Sequence, residues 1–304
     1  SFSFAIADLT LRNGRAADGA ALANIGGAAN PDFVGLSQVR ITGSVATAQG
    51  GGARLDGISL VEDSTIDANT AATDGGGLAA TAAASRLTIA RSTLAGNASQ
   101  RTSAGGGGGG VYLSAGTHVI DNATLSGNTA RGGGGGAMLA GSAVVAIADA
   151  TIVGNRADAL GSSGQSGGGV RLEGTGSASF ANSIVATNVR GAGTAGSDCS
   201  RAAPVVLTSH DDLVQVPETC TFSGSNDVAA VAPGLGPLAA NGGPTQTHAP
   251  LAGSAVVETG APTCGRVDQR GIKRPLDGDG NGVERCDRGA FEAADPVLFR
   301  NGFE

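Results

Sequence analysis

Hydrophobic and polar positions alternate with a period of two along much of this chain. In Arg86-Leu87-Thr88-Ile89 the apolar side chains are separated by polar ones, and Ser92-Thr93-Leu94 continues the alternation after a short break. This period is typical of half-buried β-strands, and the segments are too short for the 3.6-residue period of an amphipathic helix. The pattern predicts short strands separated by turns.

One short phrase recurs five times between Asp63 and Asn188. Each copy contains a small or polar pair, an aliphatic residue and a closing asparagine, and these asparagines are 28, 31, 27 and 33 residues apart. The five asparagines are Asn69, Asn97, Asn128, Asn155 and Asn188. Repeats of this length indicate a solenoid, in which each unit buries its apolar side against the next. With the period of two, they predict an all-β fold: a right-handed single-stranded parallel β-helix over residues 1–198.

The repeated positions also predict the interior of the helix. The aliphatic residues of the phrase are expected to stack in one internal column: Ile66, Leu94, Leu125, Ile152 and Ile184. We expect the asparagines to form a ladder inside one turn, each amide bonding turn backbone and the next amide, rather than to bind sugar or catalyse a reaction. Glycine runs follow the first four asparagines and permit positive φ and close approach of coils. They are not phosphate loops, because the required lysine and helix do not follow them.

The composition limits the partners. The chain has 304 residues, a net charge of −7 and a single lysine, Lys273, which argues against nucleic acid or an anionic membrane as a partner. There is no tryptophan, and Tyr112 is the only tyrosine, so stacking platforms for sugars are scarce. No apolar run approaches the length of a transmembrane segment.

The four cysteines, Cys199, Cys220, Cys264 and Cys286, all lie in the last third of the chain. They lack the spacing of zinc ligands, so two disulfides in an oxidising compartment are predicted. Sequence order favours Cys199–Cys220 and Cys264–Cys286, although three connectivities are open. Nine of the ten prolines also lie beyond residue 199. Residues 199–304 are therefore predicted to form an irregular, disulfide-stapled C-terminal cap.

The C-terminal third carries a longer motif. It reads Leu238-Ala239-Ala240-Asn241-Gly242-Gly243-Pro244-Thr245-Gln246-Thr247-His248, then Asp268-Gln269-Arg270-Gly271, then Cys286-Asp287-Arg288-Gly289-Ala290-Phe291-Glu292. This combination resembles the C-terminal module of bacterial choice-of-anchor Q proteins, and the repeats are similar to those of polymorphic outer-membrane proteins. The resemblance implies a secreted or surface-anchored bacterial β-helix protein and carries no catalytic residues with it. The chain departs from that pattern at Arg288, where the family usually has an apolar residue.

Two groups of residues are candidates for chemistry. Asp277, Asp279 and Asn281, followed by Gly282, match the first half of a calcium loop, so Ca²⁺ is a candidate ligand although no cofactor is required. Position twelve of that loop is Arg288, and Asp287 or Glu284 would have to substitute; the alternative is a series of Asx turns.

His210-Asp211-Asp212 is the densest group with acid–base potential. Carbohydrate-active β-helix enzymes stack acids from neighbouring coils, whereas the outward repeat positions here carry Thr, Ala, Gly and Arg. His118 and His248 are isolated and are expected to be ordinary hydrogen-bonding residues. An enzyme is therefore not predicted; the alternative is a polysaccharide lyase or glycoside hydrolase.

The two ends of the chain predict self-association. Phe2 and Phe4 would be exposed at an uncapped N-terminal coil, and Val297, Leu298 and Phe299 form an apolar strand candidate beyond the cap. A head-to-tail contact between them would generate a filament. The sequence thus predicts an extracellular structural protein of a bacterial cell surface that associates with itself or adheres to cell-surface or glycan partners. A removed upstream capping segment, leaving a monomer or an anchored rod, is the competing interpretation.

Overall fold

The computed structural model describes residues 3–25, 32–103 and 106–294, and the regular elements of these residues are all β-strands. The strands follow one another around a coil, and each coil stacks on the next in parallel register. Four sheets, named A to D, run along the length of the stack. The prediction of a parallel β-helix is confirmed.

Sheet A is formed by five-residue strands. They are β1 (Ser3–Ala7), β5 (Phe33–Ser37), β9 (Ile58–Glu62), β13 (Arg86–Ala90), β17 (Thr117–Asp121), β21 (Val144–Ala148), β25 (Ser177–Ala181) and β30 (Val206–His210). Sheet B follows in each coil and comprises β2 (Thr10–Arg12), β6 (Arg40–Thr42), β10 (Thr65–Asp67), β14 (Thr93–Ala95), β18 (Thr124–Ser126), β22 (Thr151–Val153), β26 (Ile184–Ala186), β31 (Leu213–Val214) and β32 (Val228–Ala229).

Sheet C consists of two-residue strands. They are β3 (Arg15–Ala16), β7 (Val45–Ala46), β11 (Thr70–Ala71), β15 (Ala98–Ser99), β19 (Thr129–Ala130), β23 (Arg156–Ala157), β27 (Val189–Arg190) and β28 (Ala195–Gly196), the last antiparallel to β27. Sheet D completes the coil with β4 (Leu22–Asn24), β8 (Ala53–Leu55), β12 (Leu78–Ala80), β16 (Val111–Leu113), β20 (Ala137–Leu139), β24 (Val170–Leu172) and β29 (Cys199–Arg201). An antiparallel pair, β33 (Leu235–Ala239) and β34 (Thr247–Pro250), lies outside the coils.

The aliphatic column inside sheet B matches the prediction except at its last member. Ile66, Leu94, Leu125 and Ile152 are buried and stack in register. In the next coil Ile152 pairs with Val185, whereas Ile184 pairs with Thr151 on the outer face. The aliphatic residue of the earlier repeats precedes its asparagine by three positions, and Val185 stands three before Asn188. A shift of one residue turns a strand side chain to the opposite face, so the prediction of Ile184 was wrong.

Each glycine of a run satisfies a different constraint, as residues 108–110 illustrate. Gly108 has a φ of 69°, which disfavours a side chain. A Cβ on Gly109 would lie 2.4 Å from the carbonyl oxygen of Gly135 in the next coil. A Cβ on Gly110 would lie 2.6 Å from the carbonyl oxygen of Gly136 and 3.2 Å from the side chain of Asn128, so this glycine makes room for both the backbone and the asparagine of the following coil.

The C-terminal region has two parts. Parallel pairing continues past residue 198 through β31 to β32. The Cys199–Cys220 disulfide and the Phe222 ring close this end of the helix, and the ring packs edge-on against Phe180 at 5.2 Å. Residues 230–294, here called the strap, instead run back along the outer face of sheet B and contain the second disulfide, Cys264–Cys286. The C-terminal region contains the two predicted disulfides, but only its first part lies at the end of the helix as a cap.

Candidate functional site

The repeated asparagines form a continuous internal ladder. All five are almost fully buried. The side-chain nitrogen of Asn69 donates to the side-chain oxygen of Asn97 at 3.0 Å, and the next three pairs lie at 3.0, 2.9 and 2.9 Å. Each of these oxygens also accepts the backbone N–H of the preceding asparagine. The amides are thus saturated by the fold itself, which is the role of structural residues.

An aspartate ends the ladder. Asn188 donates its side-chain N–H to Asp198 Oδ1 at 2.8 Å and its backbone N–H to the same oxygen at 2.9 Å. The other carboxyl oxygen accepts the N–H of Val216 at 2.6 Å. Burial raises the pKa of Asp198 to about 6. The spacing of the repeat did not reveal this residue, because Asp198 follows Asn188 by only ten positions.

A second column of side chains, interrupted by Ala123 and Ala150, runs beside the first and also ends in an aspartate. Ser92 Oγ accepts the N–H of Ser64 at 3.1 Å, Ser183 Oγ accepts that of Ala150 at 3.2 Å, and Asp212 Oδ1 accepts that of Ser183 at 2.8 Å. The second carboxyl oxygen of Asp212 is buried without a hydrogen-bond partner. Burial raises the pKa of Asp212 to about 8. A neutral carboxyl therefore ends this column at neutral pH.

The structure separates the three residues of the acid–base candidate. His210 lies on the outer face of sheet A with its side chain 54% exposed, and its Nδ1 is 2.9 Å from Asp211 Oδ2. Asp211 also accepts a hydrogen bond from Asn226 at 2.9 Å. Asp212 points into the helix, away from both. The sequence cluster thus becomes an exposed histidine paired with a buried aspartate, and a second buried acid that is structural.

Asp212 predicts a pH dependence of stability. Its pKa in the folded protein lies above the ordinary 3.8, so its contribution to stability is fully present below pH 4 and is lost as the pH rises through about 8. Within this window each pH unit lowers the free energy of unfolding by up to about 1.4 kcal/mol. We expect Asp212→Asn, which mimics the protonated group, to flatten this slope in urea denaturation series from pH 4 to pH 9. Parallel slopes for the variant and the original chain would contradict the assignment.

The two isolated histidines are structural, as expected. His118 is buried inside sheet A, where its Nδ1 accepts the N–H of Leu87 at 3.2 Å and its Nε2 lies 2.6 Å from the carbonyl oxygen of Ala115. His248 belongs to the strap and lies 2.9 Å from Ser126 Oγ of sheet B. Burial lowers the pKa of both imidazoles, which favours their neutral forms.

Buried polar side chains attach the strap to sheet B. Gln269 accepts a hydrogen bond from Thr124 Oγ1 at 2.6 Å and donates to Thr93 Oγ1 and Thr245 Oγ1, both at 2.9 Å. Thr151 Oγ1 accepts the N–H of Ala290 at 3.0 Å. The threonines at equivalent positions of successive coils are therefore docking residues. The motif that includes Thr245, His248 and Gln269 is accounted for by this intramolecular contact.

A buried arginine joins the strap to a corner of the helix. The side chain of Arg274 has no exposed surface; its Nη1 lies 2.8 Å from Asp149 Oδ1, and its Nε lies 3.2 Å from Glu292 Oε2. Burial raises the pKa of Glu292 to about 7 and that of Asp287 to about 6. One cation is thus surrounded by carboxyls that compete for it.

Arg288, where the chain departs from the resemblance, has its own role. This arginine is buried and donates to the carbonyl oxygens of Asp211 at 2.9 Å and Asn226 at 2.7 Å. An apolar side chain could not make these bonds. Arg288 therefore ties the strap to the segment that closes the last coil.

Apolar side chains complete the docking surface. Val153, Ile184, Ala186 and Leu213 on the outer face of sheet B pack with Val256, and Val231, Leu235 and Ala255 border this cluster. Ile184 therefore lies on the outer face of β26, where the strap covers it. This second apolar cluster was not predicted, because outward positions of a coil are ordinarily polar.

The acidic loop gains a third carboxylate from elsewhere in the strap. Carboxylate oxygens of Asp277, Asp279 and Glu258 lie within 4.8 Å of one another. Glu258 also accepts the side-chain N–H of Asn281 at 3.1 Å. Asp287, proposed as a substitute ligand, instead accepts the backbone N–H of Glu258 at 2.7 Å. Three converging carboxylates suit the oxygen chemistry of Ca²⁺, and Ca²⁺ binding stays a prediction.

Thermal unfolding with and without Ca²⁺ tests this prediction. We expect millimolar CaCl₂ to raise the Tm, because binding only to the folded state stabilises it. Asp279→Asn keeps the hydrogen bond to the backbone of Asn281 but removes a charge, and is expected to abolish the increase. Glu284, the other substitute ligand considered, is exposed and does not belong to the three converging carboxylates. Glu284→Gln therefore serves as the control and should retain the increase. An unchanged Tm of the original chain at all Ca²⁺ concentrations would refute a calcium site.

Of the residues predicted to mediate self-association, only Phe4 lies within the described residues. Phe4 lies in β1 and is 37% exposed. Phe2, Val297, Leu298 and Phe299 lie outside the described residues.

Comparison with protein-family models, curated proteins and solved structures found no match to this chain.

Proposed function

We propose that this chain is a non-enzymatic extracellular structural protein of a bacterial cell surface, a rod-shaped β-helix subunit that associates head to tail into filaments. The observation that carries the proposal is that the buried polar groups bond to one another and to the backbone within the fold. The asparagine ladder, its aspartate end and the Gln269 and Arg274 contacts all hold the coils and the strap together. Such chemistry suits a rigid scaffold.

The two disulfides support an extracellular location. The Cys199–Cys220 and Cys264–Cys286 disulfides form in oxidising compartments. The part of the chain that the structure describes has no helix able to span a membrane.

The proposed end-to-end contact is made at the first described coil. Its inner residues Ile6, Leu11 and Leu22 are only partly buried, whereas the residues they pair with in the next coil, Leu36, Ile41 and Ala53, are almost fully buried. Within the described residues, strands β1 to β4 pair on one side only. In the proposed contact the apolar segment around Leu298 of the next copy covers this coil.

Deletion of residues 295–304 tests the filament. The full chain is expected to form concentration-dependent filaments in negative-stain electron microscopy and sedimentation velocity, and the deletion variant is expected to lack them. The same deletion should leave the Tm unchanged, which shows that the helix itself is intact. Filaments that persist after the deletion, or a full chain that forms none, would overturn the proposed contact.

A further inference from the structure

The outer face of sheet A differs in chemistry from the other faces. In the last four strands its outward residues are small, hydroxylic or β-branched, apart from Asp121 and His210 at the strand ends, and Val144 and Val206 are 46% and 58% exposed. A shallow groove of about 320 Å³ crosses it, lined by exposed positions such as Thr117, Val119 and Ser179. The outer face of sheet B, by contrast, is covered by the strap from β14 to β31.

The charges of this face lie at its two rims. Arg86 stands at the start of β13, is exposed and forms no ion pair among the described residues. Glu62 and Asp121 stand at the ends of the neighbouring strands β9 and β17, on the opposite rim. Arg91 lies at the same rim and pairs with both Glu62, at 2.7 Å, and Asp63, at 2.9 Å. His210 ends β30 at this rim. The central position of each strand is uncharged: Ala5, Gly35, Leu60, Thr88, Val119, Ala146, Ser179 and Thr208.

The face is large enough for a specific contact. Eight strands spaced about 4.8 Å apart, each five residues long at about 3.3 Å per residue, give roughly 600 Å² per copy. Two such faces bury about 1,200 Å² in total, which is at the lower end for specific protein interfaces.

We propose that the outer face of sheet A binds the same face of a second copy, with the two helices side by side and pointing in the same direction. A twofold axis parallel to the helix axis places the central positions, such as Ala146, opposite themselves. It also places the Arg86 rim of one copy against the Glu62 and Asp121 rim of the other. The uncharged centre and the opposite charges at the rims are therefore complementary, as sheet packing in a sandwich requires.

This lateral contact rests on the proposed function, since it assigns a second surface to a self-associating rod. It does not depend on the head-to-tail contact. The lateral pair is expected to survive deletion of residues 295–304, whereas the filament is not.

Two substitutions at the twofold axis test the proposal. The described cysteines all form disulfides, so Ala146→Cys introduces a new thiol at the twofold axis. Under mild oxidation this variant is expected to give a covalent dimer on non-reducing gels. Thr42→Cys, on an uncovered part of sheet B, should not crosslink. Ala146→Arg, which brings two like charges together, is expected to weaken the dimer by at least about tenfold in sedimentation equilibrium.

A charge reversal tests the rims. Arg86→Glu is expected to weaken the dimer, and the double variant with Asp121→Arg to restore part of the loss. Crosslinking of position 42 but not 146, or dimerisation unaffected by Ala146→Arg, would overturn the proposal. A variant that fails to fold is identified by its Tm, and the crosslink at position 146 then decides the question.

Discussion

Replacing Asn97 with leucine is expected to lower the free energy of unfolding by about 2–6 kcal/mol, because two buried donors lose their acceptor. The side-chain oxygen of Asn97 accepts both the backbone N–H and the side-chain N–H of Asn69. Leucine has a similar volume but cannot accept either bond. Urea denaturation followed by circular dichroism measures the loss.

Thr70→Leu is the matched control for this experiment. Thr70 lies in the coil next to the ladder and its side chain is partly exposed, so its replacement should change stability by no more than about 0.5 kcal/mol. A loss of less than 1 kcal/mol for Asn97→Leu would show that the ladder bonds are easily replaced by water.

Replacing Arg274 with methionine is expected to destabilise the protein by about 3–5 kcal/mol, because it leaves two buried carboxylates without their cation. These are Asp149 on the helix and Glu292 on the strap. Glu292 has a pKa of about 7, so it can take up a proton when the arginine is lost. The loss should therefore be larger at pH 8 than at pH 5.

Denaturation at the two pH values measures this difference, and limited proteolysis reports whether the strap detaches first. Arg266→Met, a change of an exposed arginine on the same strap, serves as the control and should be nearly neutral. An equal loss at pH 5 and pH 8 would contradict the role assigned to Glu292.

The repeat determined the helix and most of its interior from the sequence alone. The contacts of a β-helix join equivalent positions of successive coils, so a spacing of about thirty residues records them directly. Asn97 and Asn128, and the aliphatic column up to Ile152, could therefore be placed by counting. Sequence order only favoured the two cysteine pairs and left three connectivities open, and the structure shows the favoured pairs. Ile184 was misplaced because it is the first aliphatic residue of the fifth copy, whereas the spacing of three residues before Asn188 points to Val185.

Only the tertiary structure decided where the C-terminal third lies. Gln269 meets Thr93 across 176 residues, and Glu258 meets Asp277 across two loops of the strap. No periodicity records such contacts, because each occurs once and joins segments that differ in sequence. For the same reason the sequence did not predict the aspartates that end the two columns. Asp198 and Asp212 lie where the repeat stops. Their role is evident only from the hydrogen bonds that they accept from Asn188 and Ser183.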